Sequence, residues 1–369
     1  MQSNLTPDQL VVLAKLQVKL SSLKIEGHFL PEVSVGPIVS LYRFVPTNST
    51  KVSHVENLSD DMAISLGVES VQIARIPQEN AIGIYVPNKV KTLLQFKESV
   101  GAVWQSKAKL PILLGMDHTG NIIVEDLTSL PHLLIAGSTG GGKSTLLNAI
   151  ISSLMYCKSP SELKLVLCDT KQVEFTHFQK APHLLFPVAT SVRDVINQLE
   201  VLVEEIDIRL TKMARSACQN IAQYNDIRPD FKMPYIILVI DELADPLQDP
   251  TKENKEKSYG KQSEFLLGKI VQKARATGIH VIAATQRTSV KVVEGNIKAN
   301  FPARITFRLP SEIDSRTILG TRGAESLLSQ GDMLYTSPNY PTIRRIHAPY
   351  ASIEDIKVAV EMACQRVNI

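Results

Sequence analysis

The stretch "AGSTGGGKST", Ala136–Thr145, decides the fold. Three consecutive glycines stand directly before a lysine and two hydroxyls, where an ordinary helix start would have none. Upstream, "PHLLIAG" reads as a short buried strand. Downstream, "KSTLLNAIISSLMY" sets Leu146, Leu147, Ile150, Ile151, Leu154 and Met155 on one helical face. Strand, glycine turn and helix in that order scaffold a phosphate cradle, and Gly137, Gly142, Lys143 and Ser144 fit G-x-x-x-x-G-K-[ST]. Glycine lets backbone N–H groups turn toward phosphate oxygens, and the helix N-terminus adds partial positive charge. A flexible loop could carry the pattern by accident, but in a chain this long that happens on the order of 1 time in 100. The cradle is therefore expected to comprise Gly137, Ser138, Thr139, Gly140, Gly141, Gly142, Lys143, Ser144 and Thr145. Lys143, expected to stand exposed there, would reach the β- and γ-phosphates of ATP. The Ser144 hydroxyl would hold Mg²⁺.

A chain of 369 residues has room for two or three domains, and a net charge of +3 confines any nucleic-acid contact to particular loops. Cys157, Cys168, Cys218 and Cys364 are scattered without metal-ligand spacing, as expected for reduced thiols in a cytoplasmic protein. No apolar run approaches the roughly 20 residues of a membrane span, and "MQSNLTPDQL" lacks the regions of a signal peptide, so direct membrane insertion is not expected.

Residues 7 to about 24 read as a helix with Leu10, Leu13, Leu16, Leu20 and Leu23 on one stripe. "GPIVSLYRFVP" alternates as a strand, "NLSDDMAISLG" reads as a capped helix, and "SVQIARIPQENAIGIYVPN" as a strand pair. Together they predict a small α+β domain over 1–106. A hairpin at 110–126 leads into a second domain over 107–369. There the strands "LKLVLCD", "YIILVID", "HVIAAT", "ARITFRL" and "GDMLYTS" alternate with helices, which predicts an α/β fold with a mostly parallel sheet covered on both faces. The polar, lysine-rich segment 246–263 reads as a loop.

"YIILVIDELAD", Tyr235–Asp245, places Asp241 and Glu242 where a buried strand leaves the sheet, the edge at which open α/β sheets bind ligands. An acidic pair there can simply cap a helix. Beside a phosphate cradle, Asp241 would support the Mg²⁺ shell and Glu242 would orient or deprotonate the attacking water. Gln286, at the tip of the neighbouring strand, could sense the γ-phosphate.

The blocks "PHLLIAGSTGGGKST", "VIDELAD", "QKARATGIHVIAATQRTSV" and "GNIKANFPARITFRLPSEIDSRTILGTRGAESLLSQGDMLY" occur in this order. This run resembles the motor domain of FtsK/SpoIIIE DNA translocases. "GPIVSLYRF", "NLSDDMAISLG" and "IGIYVPN" resemble that family's α subdomain. The resemblance implies a RecA-like fold, a homohexameric ring around double-stranded DNA and ATP-driven translocation. It implies Arg275, after "FLLGKIVQKA", as the cation lent to a neighbour's ATP, with Arg304 and Arg316 in reserve. It also implies Arg287, Lys298 and Arg316 as DNA contacts. The loop "QRTSVKVVEGNIKANFPAR" adds Lys291 but no aromatics, a composition suited to tracking phosphates.

Departures from the family pattern are Glu312 before "IDSR", Thr288 after "ATQR" and a long 246–263 loop. The family's membrane-spanning region and C-terminal winged helix are expected to be missing. Two other functions fit the same motifs: a conjugation or packaging ATPase of a mobile element or phage, and a slow nucleotide-switched assembly protein.

Overall fold

Thr6 opens the first helix, α1 (Pro7–Ser22), with a capping box: its backbone N–H donates to Gln9 Oε1 at 2.8 Å and its hydroxyl accepts from the Gln9 N–H. The computed structural model describes residues 5–247, 259–287 and 299–367. Lys291, Lys298, Thr288 and most of the 246–263 loop lie outside the described residues. The expected five-leucine stripe of α1 narrows to Leu16 and Leu20, and Leu10 is 49% exposed. Burial is concentrated on the last turns of α1, which lie over the core that holds Tyr42 and Phe44.

The small sheet comprises β1 (Gly27–Phe29), β2 (Ser34–Val35) and β3 (Val39–Pro46), followed after α2 (Val52–Glu56) and α3 (Ser59–Leu66) by β4 (Gln72–Ile76) and β5 (Ala81–Pro87). It is antiparallel in the order β1-β3-β5-β4, with β2 on β3. Gly67 closes α3 as expected, but Leu58 stands at its start and supplies no side-chain cap, because a leucine has no oxygen to offer.

Then come α4 (Phe96–Gln105), the hairpin β6 (Pro111–Asp117) and β7 (Ile122–Asp126), β8 (His132–Ala136), α5 (Lys143–Cys157) and β9 (Leu163–Cys168). Next are α6 (Val192–Arg215), α7 (Ile221–Ile227), β10 (Tyr235–Ile240), α8 (Ala244–Leu247), α9 (Tyr259–Lys273) and β11 (Ile279–Thr285). The chain closes with β12 (Ala303–Phe307), α10 (Glu312–Leu319), β13 (Asp332–Thr336), β14 (Arg344–His347) and α11 (Ile353–Val367).

All strands from β6 onward form one sheet, ordered β7-β6-β14-β13-β12-β8-β11-β10-β9. From β12 to β9 the pairing is parallel, as the strand–helix alternation predicts. From β12 to β7 every ladder is antiparallel, so the sheet is mixed. Short connections such as 337–343 between β13 and β14 allow only a reversal, whereas parallel neighbours need a crossover. Helices cover both faces. Leu133 and Ile135 of β8 share a core with Leu146 and Ile150 of α5, while Leu134 and Ala136 face Leu199 of α6 and Leu267 of α9. Phe96 and Val103 of α4 pack against Ala149 and Tyr156 of α5, so this helix rests on the large sheet although it precedes residue 107.

Two short elements join the small sheet to the large one. Leu328 is buried with Ile38, Leu41 and Tyr85 of the small sheet. Arg345 donates from Nε and Nη2 to the two carboxylate oxygens of Asp332 at 2.9 and 2.6 Å, and from Nη1 to Gln72 Oε1 at 2.9 Å. The side chains of this ion pair are 5% and 1% exposed. Truncating one member leaves a buried charge without its partner, which costs about 3–5 kcal/mol. Arg345→Ala should therefore lower the unfolding free energy measured by urea titration by that amount, with the midpoint falling accordingly, and Arg345→Ala with Asp332→Asn should recover part of it. An unchanged midpoint in the single variant would show that the joint contributes nothing.

Candidate nucleotide-binding site

The loop between β8 and α5 hangs from three neighbours. Gly137 N–H donates to Thr285 O at the tip of β11 (3.2 Å), Ser138 N–H to Arg308 O (3.1 Å), and Gly331 N–H to Gly141 O (2.8 Å). Phe307 lies directly beneath it: a Cβ on Gly137 would fall 2.7 Å from Phe307 Cβ. Gly142 has φ +119° and its Cβ would meet Gly331 Cα at 3.0 Å, so both conformation and space require glycine there. The glycines are spaced by what the loop must lie upon. The Gln330–Gly331 turn is in turn fixed by Ala348 N–H donating to Gly331 O at 2.7 Å.

Above this bed opens a cleft of about 410 Å³, lined by Ser138, Thr139, Gly140, Gly142, Lys143, Ser144 and Thr145 of the expected cradle. Opposite stand Glu174 and Gln286, and the far wall includes Leu93, Pro349 and Tyr350. Tyr350 is stitched to the segment that joins the two sheets: its N–H donates to Leu94 O (2.7 Å), and its carbonyl accepts from Phe96 N–H (3.0 Å).

Lys143 is 4% exposed, which overturns the expectation of an exposed ammonium. As the first residue of α5 it is packed against the strand ends, where a charge needs a partner. Its Nζ donates to the Asp241 main-chain carbonyl at 2.7 Å and to Oδ1 at 2.5 Å. Ser144 Oγ donates to Glu174 Oε1 at 2.5 Å. Glu242 is held on several sides: Oε1 accepts from Thr285 Oγ1 (2.7 Å) and Ala244 N–H (3.3 Å), Oε2 from Gln286 N–H (3.1 Å), and Lys171 Nζ lies 3.6 Å from Oε2. Gln286 Oε1 accepts from Thr139 Oγ1 at 2.9 Å, which ties the β11 tip to the cradle.

The fold thus gathers Lys143, Ser144, Asp241, Glu242 and Gln286 in one place. Arg275 lies elsewhere. It sits in a single 3-10 turn, Arg275–Thr277, before β11, the length of that strand away from Gln286. Seven residues of strand span roughly 23 Å. Arg275 is exposed, with no hydrogen bond or ion pair among the described residues. Arg304 is a brace, donating to Phe301 O (2.9 Å) and Ile318 O (3.1 Å). Arg316 pairs with Glu312 at 2.6 Å on the edge of a larger cleft, about 980 Å³, between the small sheet and α10. Arg287 is exposed immediately after Gln286.

Glu174, Lys171 and Tyr350 were not anticipated from the sequence. The first two follow "LKLVLCD", and the rule that ligands gather at carboxyl strand ends could have flagged them. Ser144 and Asp241 offer hard oxygens, which fits Mg²⁺ with its remaining positions left to water and phosphate. Among the described residues no cluster of three or more His, Cys, Asp or Glu side chains could hold a metal by itself.

Residues 97–290 match the model of the FtsK/SpoIIIE family and residues 8–88 that of the FtsK alpha domain. The chain is 42% identical over 349 residues to a DNA translocase FtsK of Helicobacter pylori, covering 93% of this chain and 40% of that one. It is 41% identical over 353 residues to a DNA translocase FtsK of Clostridium acetobutylicum, covering 94% and 45%. It therefore spans less than half the length of these relatives. Among solved structures, the pCW3 conjugation coupling protein TcpA with ATPγS superposes with TM-score 0.69 at 23% identity, covering 96% of this chain and 99% of that one. The cytoplasmic domain of the Thermomonospora curvata secretion ATPase EccC gives TM-score 0.59 at 23% identity, over 70% and 32%. These last two likenesses establish the RecA-like P-loop fold.

Proposed function

Because this chain belongs to the FtsK/SpoIIIE family, we propose that it is an ATP-hydrolysing motor that moves along double-stranded DNA as a homohexameric ring in the cytoplasm. The observation that supports the reading is the separation of Arg275 from the five residues gathered at the cradle: those five would form most of a hydrolytic site at one pole, and at the other stands an exposed cation with no hydrogen bond or ion pair among the described residues. Head-to-tail closure of such subunits completes every site. Backbone N–H groups of the loop and the start of α5 bind the phosphates, and Lys143 swings from Asp241 to the β/γ oxygens. Ser144 and Asp241 would hold Mg²⁺, which supplies charge neutralisation on the phosphates. Glu242 takes the proton of the attacking water, Gln286 contacts the γ-phosphate, and Arg275 of a neighbouring copy stabilises the charge that develops there. Tyr350 and Leu93 provide an apolar wall for the base. Among the described residues no helix is long and apolar enough to cross a membrane.

Displacement of a triplex-forming strand from duplex DNA tests the motor. ATP-dependent displacement supports it; DNA-independent hydrolysis without displacement would favour the slow assembly switch instead. Arg287, Lys298 and Arg316 are proposed as the DNA contacts. With cations confined to a few loops, the grip should be on phosphates. Duplex affinity, measured with a non-hydrolysable ATP analogue, should fall steeply with salt and vary little with sequence. Arg287→Ala should weaken binding to all duplexes alike and flatten the salt slope by roughly one unit. A sequence preference that survives high salt would contradict phosphate tracking.

A further inference from the structure

Arg209 is 1% exposed, among the most deeply buried of the large side chains in the chain, although arginine is seldom fully buried. It sits on α6, and its Nε donates to Glu205 Oε1 one turn back at 2.7 Å. The remaining bonds leave the helix: Nη1 donates to the carbonyls of Pro234 at 2.8 Å and Thr277 at 2.9 Å. Pro234 precedes β10, and Thr277 closes the turn that carries Arg275. The rest of that turn is tied down as well. Ala274 O accepts from Thr277 N–H at 3.0 Å, Thr277 Oγ1 at 2.7 Å and Ile279 N–H at 3.3 Å, and Gly278 O accepts from Ile236 N–H at 3.0 Å. Desolvation works against the Arg209 charge, and Glu205 offsets only part of it. A methionine could fill much of the same space at less electrostatic cost, so the planar fork earns its place by bonding two carbonyls at once.

We propose that Arg209 is a positioning residue: it clamps the Arg275–Thr277 turn to α6 and β10 so that Arg275 is presented at a fixed height to a neighbouring subunit's ATP. The inference rests on the ring reading above and extends it. A cation that must meet a phosphoryl group across an interface needs a base that does not give, and misplacement by about 1 Å can lower a rate on the order of 10²-fold.

The test uses the full chain with Arg209→Met, Arg209→Lys, Arg275→Ala and Arg209→Met/Arg275→Ala. Arg209→Met should lower kcat on the order of 10²-fold while ATP-analogue binding stays unchanged, with Arg209→Lys between it and the parent. The double variant should turn over no more slowly than Arg275→Ala alone. Mixing Arg209→Met subunits with Glu242→Gln subunits, whose Arg275 turn is intact, should recover turnover, and so should mixing Arg275→Ala subunits with the same Glu242→Gln subunits. If Arg209→Met fails to fold, Arg209→Lys carries the same mixing test. A brace that served only stability would instead lower analogue binding, add to the loss from Arg275→Ala and show no recovery on mixing. Parental kcat in Arg209→Met beside an impaired Arg275→Ala would overturn the role of Arg209 alone. Parental kcat in Arg275→Ala would overturn the ring reading and this inference with it.

Discussion

Lys143→Ala should lower ATP turnover by about 10²–10³-fold and, in the same protein, weaken the fold by about 3–5 kcal/mol. The first effect follows from removing the ammonium that reaches the phosphates, a charge-assisted contact that no neighbouring side chain replaces. The second follows from the burial of the pair: Lys143 and Asp241 side chains are 4% and 3% exposed, so alanine strands a carboxylate away from water. The two effects can be separated. Lys143→Met with Asp241→Asn removes both charges, and should regain most of the urea midpoint while remaining inactive. A single variant with parental stability would contradict the buried ion pair; one with parental turnover would remove Lys143 from the phosphate site.

Glu242→Gln should bind ATP yet hydrolyse it about 10²–10⁴-fold more slowly, because an amide cannot accept the proton of the attacking water. The surroundings fix how the amide sits. Oε1 takes two donors, Thr285 Oγ1 and Ala244 N–H, so the amide oxygen belongs there, and its NH₂ then faces the Gln286 N–H that now lies 3.1 Å from Oε2. That donor–donor contact, about 1–3 kcal/mol, should appear as a modest loss of stability alongside full ATP-analogue binding. Single-turnover hydrolysis at the parental rate would move the base to another residue.

What the sequence displayed was what neighbours in the chain determine. Gly137, Gly142, Lys143 and Ser144 declare the cradle because a strand, a turn and a helix must follow one another to make it. Asp241 and Glu242 declare themselves because an apolar strand ends on them. Contacts between distant residues were hidden. Ser144 and Glu174 are 30 positions apart, and Arg345 and Gln72 are 273 apart. The strand "RRIH" was missed for a different reason: two charged residues mask its pattern, yet it lies between β13 and β6 and makes that half of the sheet antiparallel. The leucines of α1 show the converse. Helical period assigns five positions to a face, but only the neighbouring sheet determines how many are covered. Burial of Lys143 was illegible for the same reason, since its partner stands just past the end of a strand, 98 residues away.

The segment from Leu328 to Asp332 touches both halves of the molecule within five residues. Leu328 plugs the small sheet, Gly331 forms part of the bed under Gly142, and Asp332 grips the arginine that reaches back to Gln72. From plug to bed is three residues, a lever arm of roughly 10 Å at most. An arm this short has almost no compliance. Two lobes that the sequence presents as separable domains share this joint, so a tilt of the small sheet under mechanical load would shear the floor on which the phosphate loop lies.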